Sequence, residues 1–277
     1  TQNPLTITIT SNLDIAAVFG KEEPTPTPVS PPKDDIRHFI VGDEPFQFIG
    51  AFVVDGEFTQ QSADNLTATA KTAGLNVLSL MLPSTQNWGD EASLSQLDIF
   101  LDRASAHGIR VIVTLLHGLG IALDETNRFY NTGGVEGLIR DENLKAAYKE
   151  LIKRVVTRVN TVNGKKYSDD PTIMAWDLIS EPIPSPVINT GQTDITMEEL
   201  DAWVQEMVSY TKSLDPNHLV TMMLVGFAYF KDWPVSIKGL DFLFMDVGVY
   251  DILYVQNLSL EEDYLEKYMN YPIFSIG

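Results

Sequence analysis

Residues 169–182 read DDPTIMAWDLISEP, and the fold class follows from how this run starts and stops. Asp169, Asp170 and Pro171 interrupt whatever precedes them, because a proline lacks the amide hydrogen that a helix or a ladder needs. Residues 172–179 are then an apolar run of strand length, rich in β-branched and large side chains, which predicts a buried strand. Ser180, Glu181 and Pro182 end it. Simple alternation puts the Glu181 side chain on the same face as Ile179, Asp177 and Ala175. A carboxylate at the C-terminal end of a buried strand is where barrel enzymes place their chemistry. A glutamate that only caps a strand end would read the same way.

On either side of this strand the pattern alternates. Strands are expected over 46–54, 76–82 and 110–116, with helices over 60–73 and 93–107 between them. A long loop, 117–140, carries Gly118, Gly120, Gly133 and Gly134, and a loop of that length inside a compact domain is usually functional. Residues 143–160 predict an amphipathic helix with Leu144, Tyr148, Leu151, Val155 and Val159 on its apolar stripe. After the central strand, Thr196 and Glu199 form a capping box for a helix to residue 214. Further strands are expected over 219–225, 241–249 and 273–276, with a helix over 260–269.

This cadence favours parallel βα units. No G-x-G-x-x-G follows the first strand and no G-x-x-x-x-G-K-[ST] occurs, so the expectation is a (β/α)8 TIM barrel rather than a nucleotide-binding sheet. Seven of its strands are present, and the barrel is expected to be truncated after strand 7. Residues 36–277 are expected to form this incomplete barrel domain. Residues 21–35 are rich in Pro and Thr and read as an extended linker that cannot form a ladder. Residues 1–20 read as a β-hairpin, the C-terminal strands of an upstream β-repeat domain, and resemble the ends of small bacterial surface-repeat modules.

Residues 155–182 carry a more specific signal. VVTRVNTVNGKKYSDDPTIMAWDLISEP resembles the central segment of endo-β-1,4-mannanases of glycoside hydrolase family 5, which runs close to RVNTxTGxxYKDDPTIxAWELxNEP. The resemblance covers residues 158–182 with few changes. It implies a cellulase-like barrel that hydrolyses β-1,4-linked polysaccharide, mannan above all, by a retaining two-carboxylate mechanism with Glu181 as acid/base. In the family the nucleophile ends the seventh strand, in text like PVLxGEFG. Residues 271–277, YPIFSIG, enter that strand, so the nucleophile is expected beyond Gly277 and these 277 residues are expected to be inactive alone.

The same resemblance implies substrate contacts from His117 at the end of the third strand and from Tyr250 on the sixth. Ser79 stands where the family has an arginine that positions the nucleophile, Ser180 where N-E-P has its asparagine, and Gly248 where H-x-Y has its histidine. Trp88 and Trp233, in the loops after strands two and five, are candidate sugar-stacking platforms, although each also reads as packing. Asp177, a glutamate in relatives, reads as structural. Exchanging arginine for Ser79 removes a fixed positive charge. A second expectation therefore stands beside the first: a non-catalytic barrel with a degenerate site, binding carbohydrate or serving surface display.

Composition narrows the partners. A net charge of −19 would repel a phosphate backbone, so nucleic acid is not expected, whereas a neutral β-linked polysaccharide suits this surface. The chain has no cysteine and only four histidines, with no H-E-x-x-H, so neither a metal nor a cofactor is expected. No segment reads as a membrane span. The surface-repeat resemblance implies an extracellular or cell-surface location. Oligomeric state, the choice of glycan and the host are not legible.

Overall fold

The computed structural model describes residues 29–30, 39–41, 43–47, 49–54, 58–81, 89–118, 129, 134–182, 195–225, 239–246 and 273–275. The predicted hairpin at 1–20 and the predicted helix at 260–269 lie outside them.

Seven parallel strands form one sheet: β4 (Gly50–Val54), β5 (Val77–Met81), β6 (Arg110–Thr114), β7 (Ile173–Ser180), β8 (Leu219–Val225), β9 (Phe242–Asp246) and β10 (Ile273–Ser275). Each strand pairs with the next in sequence, as in a (β/α)8 barrel wall. Helices α1 (Gln60–Thr72), α2 (Glu91–His107), α3 (Gly134–Arg140), α4 (Glu142–Val156) and α5 (Met197–Leu214) occur in the connections.

Two apolar layers follow from strand alternation. Leu78, Leu80, Val111, Val113, Trp176, Leu178, Val220 and Met222 point outward into a large core with the helices. Val77, Ile112, Ala175, Leu219 and Phe242 point inward. The inner cluster is closed near the strand starts by β2 (Phe39–Val41), which pairs antiparallel with β3 (Glu44–Phe46) and whose Phe39 meets Phe242 edge-on with ring centroids 5.0 Å apart. Farther along the strands the inner face turns polar, with Ser79, Thr114, Asp177, Ser180 and Thr221 all buried. An apolar floor beneath a polar upper half is what places chemistry at the C-terminal rim.

Helix ends follow their sequence signals. Thr196 and Glu199 form the expected capping box on α5, and Gly108 closes α2 at a φ of 68°, a conformation cheap only for glycine. Three expectations need correction. The 117–140 stretch is not all loop, since Gly134–Arg140 is helical with Val135, Leu138 and Ile139 buried. The helix expected over 143–160 ends at Val156, because Arg158 and Asn160 are used elsewhere. In the linker, Val29 and Ser30 form a short strand, β1, that pairs antiparallel with Val41 and Ile40 of β2. These two residues therefore do enter a ladder.

Arg158 leads the segment between α4 and β7, and its guanidinium reaches buried Asp98 of α2 through Nε at 3.0 Å and Nη2 at 2.6 Å. Asp98 also accepts from Tyr167 Oη and Thr161 Oγ1, both at 2.7 Å, and its main-chain carbonyl accepts from Asn160 Nδ2. Burial pushes the Asp98 carboxyl up, but Arg158, Tyr167 and Thr161 together hold it below its ordinary value. The outer face of β7 is pinned as well. Trp176 Nε1 donates to Asp215 Oδ2 at 2.7 Å, and Asp215 lies 2.6 Å from His218 Nδ1.

Candidate active site

The end of β7 departs from simple alternation. Its register against β8 shifts between Asp177 and Ser180, so the strand carries a bulge there. Ser180, not Ile179, therefore shares the inner face with Asp177, while Ile179 joins the outer core. This corrects the expectation that Ile179 shares a face with Asp177. Past the bulge, Glu181 takes a φ of 53°, the sole positive φ at a non-glycine among the described residues. Such a backbone costs about 1–3 kcal/mol and persists only where its surroundings impose it; residues of this kind cluster at functional sites.

The surroundings here are well defined. Glu181 N donates to the carbonyl of Met223 on β8 at 3.0 Å, and Ser180 N donates to that of Leu116 at 2.9 Å. His117 bridges to Ser180, which brings its Nε2 to 3.1 Å from Glu181 Oε2. Both side chains keep a little exposure, 18% for His117 and 14% for Glu181, as a group that must meet both ligand and scaffold requires. The chain after His117 passes so close to Glu181 that a Cβ at Gly118 would overlap the Glu181 carbonyl and approach Pro182 Cα to 2.7 Å.

Beneath the rim, Asp177 is fully buried. Its Oδ2 accepts from Thr114 Oγ1 at 2.8 Å and from the Ser180 hydroxyl, and its Oδ1 accepts from Met223 N at 3.2 Å. Burial nonetheless raises the carboxyl to about 6, against the pull of Ser180, Thr114 and the Met223 amide. On the outer side of the bulge, buried Tyr148 of α4 donates its hydroxyl to the Leu178 carbonyl and stacks on Trp203, with centroids 5.7 Å apart.

The raised Asp177 has a measurable sign. Between its ordinary value of 3.8 and about 6 the folded state holds a proton that the unfolded state has released, so its contribution to stability falls as pH rises. A carboxyl moved that far corresponds to about 3 kcal/mol. Denaturant unfolding of the parent and Asp177→Asn should show their stability difference moving by that amount, against the parent, between about pH 3.5 and pH 7. A pH-independent difference would contradict the assignment.

Of the sequence-predicted site residues, Glu181, His117 and Ser180 meet at the C-terminal end of β7. Ser180 is buried, with its hydroxyl bonded inward to Asp177. Ser79 lies on the inner face of β5, buried, and its hydroxyl has no hydrogen-bond partner. Tyr250, Gly248, Trp88 and Trp233 lie outside the described residues. Sequence reasoning missed Thr114, Gly118 and the Tyr148 hydroxyl. Only Gly118 left a signal, as a glycine directly after a strand-end histidine. Among the described residues no group of three or more His, Asp or Glu is arranged to hold a metal ion, and no helix is long and apolar enough to cross a membrane.

The structure therefore sets a glutamate at the C-terminal end of the fourth strand of a parallel barrel wall and a histidine at the end of the third, at the rim where barrel enzymes place their chemistry. Comparisons with known proteins point the same way. The sequence profile described as GH family 5 beta-mannosidase-like matches residues 122–233. Mannan endo-1,4-beta-mannosidase 8 of Oryza sativa subsp. japonica is 32% identical over 215 residues, 69% of this chain and 54% of its own length. Mannan endo-1,4-beta-mannosidase 5 of Solanum lycopersicum is 37% identical over 145 residues, 50% of this chain and 33% of its own length. The chain thus spans about half, or less, of the curated relatives it matches. Among solved structures, the endo-1,4-beta-mannanase of Rhizomucor miehei superposes with a TM-score of 0.68 at 21% identity, over 90% of this chain and 80% of that one. The endo-beta-1,4-mannanase of Thermotoga petrophila superposes at 0.61 with 24% identity, over 73% and 52%. These two likenesses concern the fold. Over the matched residues the chain is similar to glycoside hydrolase family 5, and to its mannanase-like members in particular.

Proposed function

We propose that the full-length protein hydrolyses β-1,4-linked polysaccharide of the mannan type by a retaining mechanism, with Glu181 as the acid/base. In that mechanism Glu181 protonates the departing sugar oxygen, and the same group then activates water against a glycosyl-enzyme intermediate. The nucleophile is proposed to follow the β10 strand, past Gly277, about 5 Å from Glu181 as double displacement requires. His117 would orient the Glu181 carboxyl, and Tyr250, Trp88 and Trp233 would contact sugar. A net charge of −19 fits a neutral polymer, and extracellular action follows from the size of such a substrate.

One observation carries the reading. Glu181 alone among described non-glycine residues is held in a left-handed backbone, at the rim, with its carboxylate on His117. Reducing-sugar release by the full-length protein from galactomannan, glucomannan and cellulose tests it, with release expected from the two mannose-containing polymers.

A second reading has its own support. Ser180 spends its hydroxyl on Asp177, and Ser79 offers no charge where relatives have arginine. Both fit a barrel that binds β-glycan without cleaving it. Retention on mannan with no release of reducing ends would favour this reading and overturn the first.

A further inference from the structure

We propose that Asp177 is a positioning residue for Glu181: by accepting three donors at once, its buried carboxylate holds the β7 bulge that turns Glu181 onto the rim beside His117. The inference rests on the reading of Glu181 as acid/base and adds to it the part that sets its geometry.

The three donors come from three strands. Thr114 lies on β6, Ser180 on β7 and Met223 on β8, so one carboxylate ties the strand ends on both sides of Glu181. Met223 is the direct link. Its N–H meets Asp177 Oδ1, and its carbonyl receives the Glu181 amide that carries the left-handed φ. Ser180 is the second link, because its backbone is bonded to Leu116 and bridged to His117 while its hydroxyl is held from below. Tyr148 secures the bulge from outside through the Leu178 carbonyl, and the missing side chain of Gly118 lets the chain after His117 close over it.

A carboxylate accepts from all three donors at once, with both hydroxyls donating to a charged group. An amide offers one acceptor oxygen and turns an NH2 group toward either the Met223 N–H or the two hydroxyls. Asp177→Asn keeps the volume but either sets its NH2 against the Met223 N–H or forces the Thr114 and Ser180 hydroxyls to reverse and accept, and in both cases it loses the charge-assisted bonds.

The test uses the full-length protein labelled with 15N-histidine. With four histidines in the 277-residue sequence, the His117 ring signals can be assigned by their loss in His117→Gln. Asp177→Asn should move the His117 ring signals as Glu181→Gln does, and Thr211→Val, which removes a distant buried hydroxyl bond on α5, should leave them in place. On β-mannan, Asp177→Asn should lose about ten- to hundred-fold in kcat with KM little changed, since a misplaced catalytic group weakens only the transition state. Ser180→Ala and Thr114→Val should show the same pattern in smaller measure, and they decide the matter if Asp177→Asn does not fold. Folded variants with His117 signals and kcat both unchanged would overturn the proposal. If Glu181→Gln leaves mannan hydrolysis untouched, the functional reading fails instead, and the His117 signals alone judge the positioning.

Discussion

Glu181→Gln in the full-length protein is expected to lose about two to four orders of magnitude in β-mannan hydrolysis while keeping its fold, because general acid–base help is typically worth that much. A sugar hydroxyl is a poor leaving group and must receive a proton as the glycosidic bond breaks. Glutamine has the shape of glutamate and can still bond His117 Nε2, now 3.1 Å from the carboxylate, but it has no proton of suitable acidity to give. Because the side chain is at the rim and partly exposed, the substitution strands no buried charge. Steady-state hydrolysis and a thermal melt on the same preparation separate lost chemistry from lost fold.

Asp98→Asn should have the largest effect on stability, about 3 kcal/mol, the lower end of what breaking a buried ion pair costs. The lower end applies because Arg158 keeps a second carboxylate, exposed Glu91, at 2.8 Å. Asp98 is fully buried and accepts from Arg158, Tyr167 and Thr161, and an amide can serve only some of these donors. Since the Asp98 carboxyl lies below its ordinary 3.8, the folded state releases its proton more readily than the unfolded one. The contribution is therefore complete above that value and is lost as pH falls through the folded one. Urea unfolding at neutral pH checks the magnitude. As the pH falls below 3.8 and through the folded value, the gap between parent and variant should narrow.

The role of this cluster clarifies what was legible in the sequence. The stretch beginning at Arg158 pointed to the family, yet its first half builds a clamp between α2 and the entry to β7, and only its end reaches the candidate site. Alternation between strand and helix, the Thr196–Glu199 box and the glycine at 108 were readable because each rests on local chemistry. The bulge was not, because one extra residue between Asp177 and Ser180 is set by bonds from Thr114, Met223 and Tyr148, which are 30 or more residues away in the chain. Period-two reasoning therefore put Ile179, instead of Ser180, on the inner face with Asp177. The α4 stripe was overextended to Val159 for a related reason: Val159 is half exposed, and Arg158 leaves the helix for Asp98. Asp177 was legible as buried. Its three-donor cradle, in which Ser180 takes part, was not.

The measurement that bears most directly on the central claim compares leaving groups. Parent and Glu181→Gln, both full-length, are assayed on mannan and on an aryl β-mannoside carrying dinitrophenolate, which departs without a proton. The account predicts a loss of orders of magnitude on mannan together with a first-step release of dinitrophenolate close to the parent's. An equal loss on both substrates, or no loss on either, would contradict the assignment of Glu181 as the proton donor.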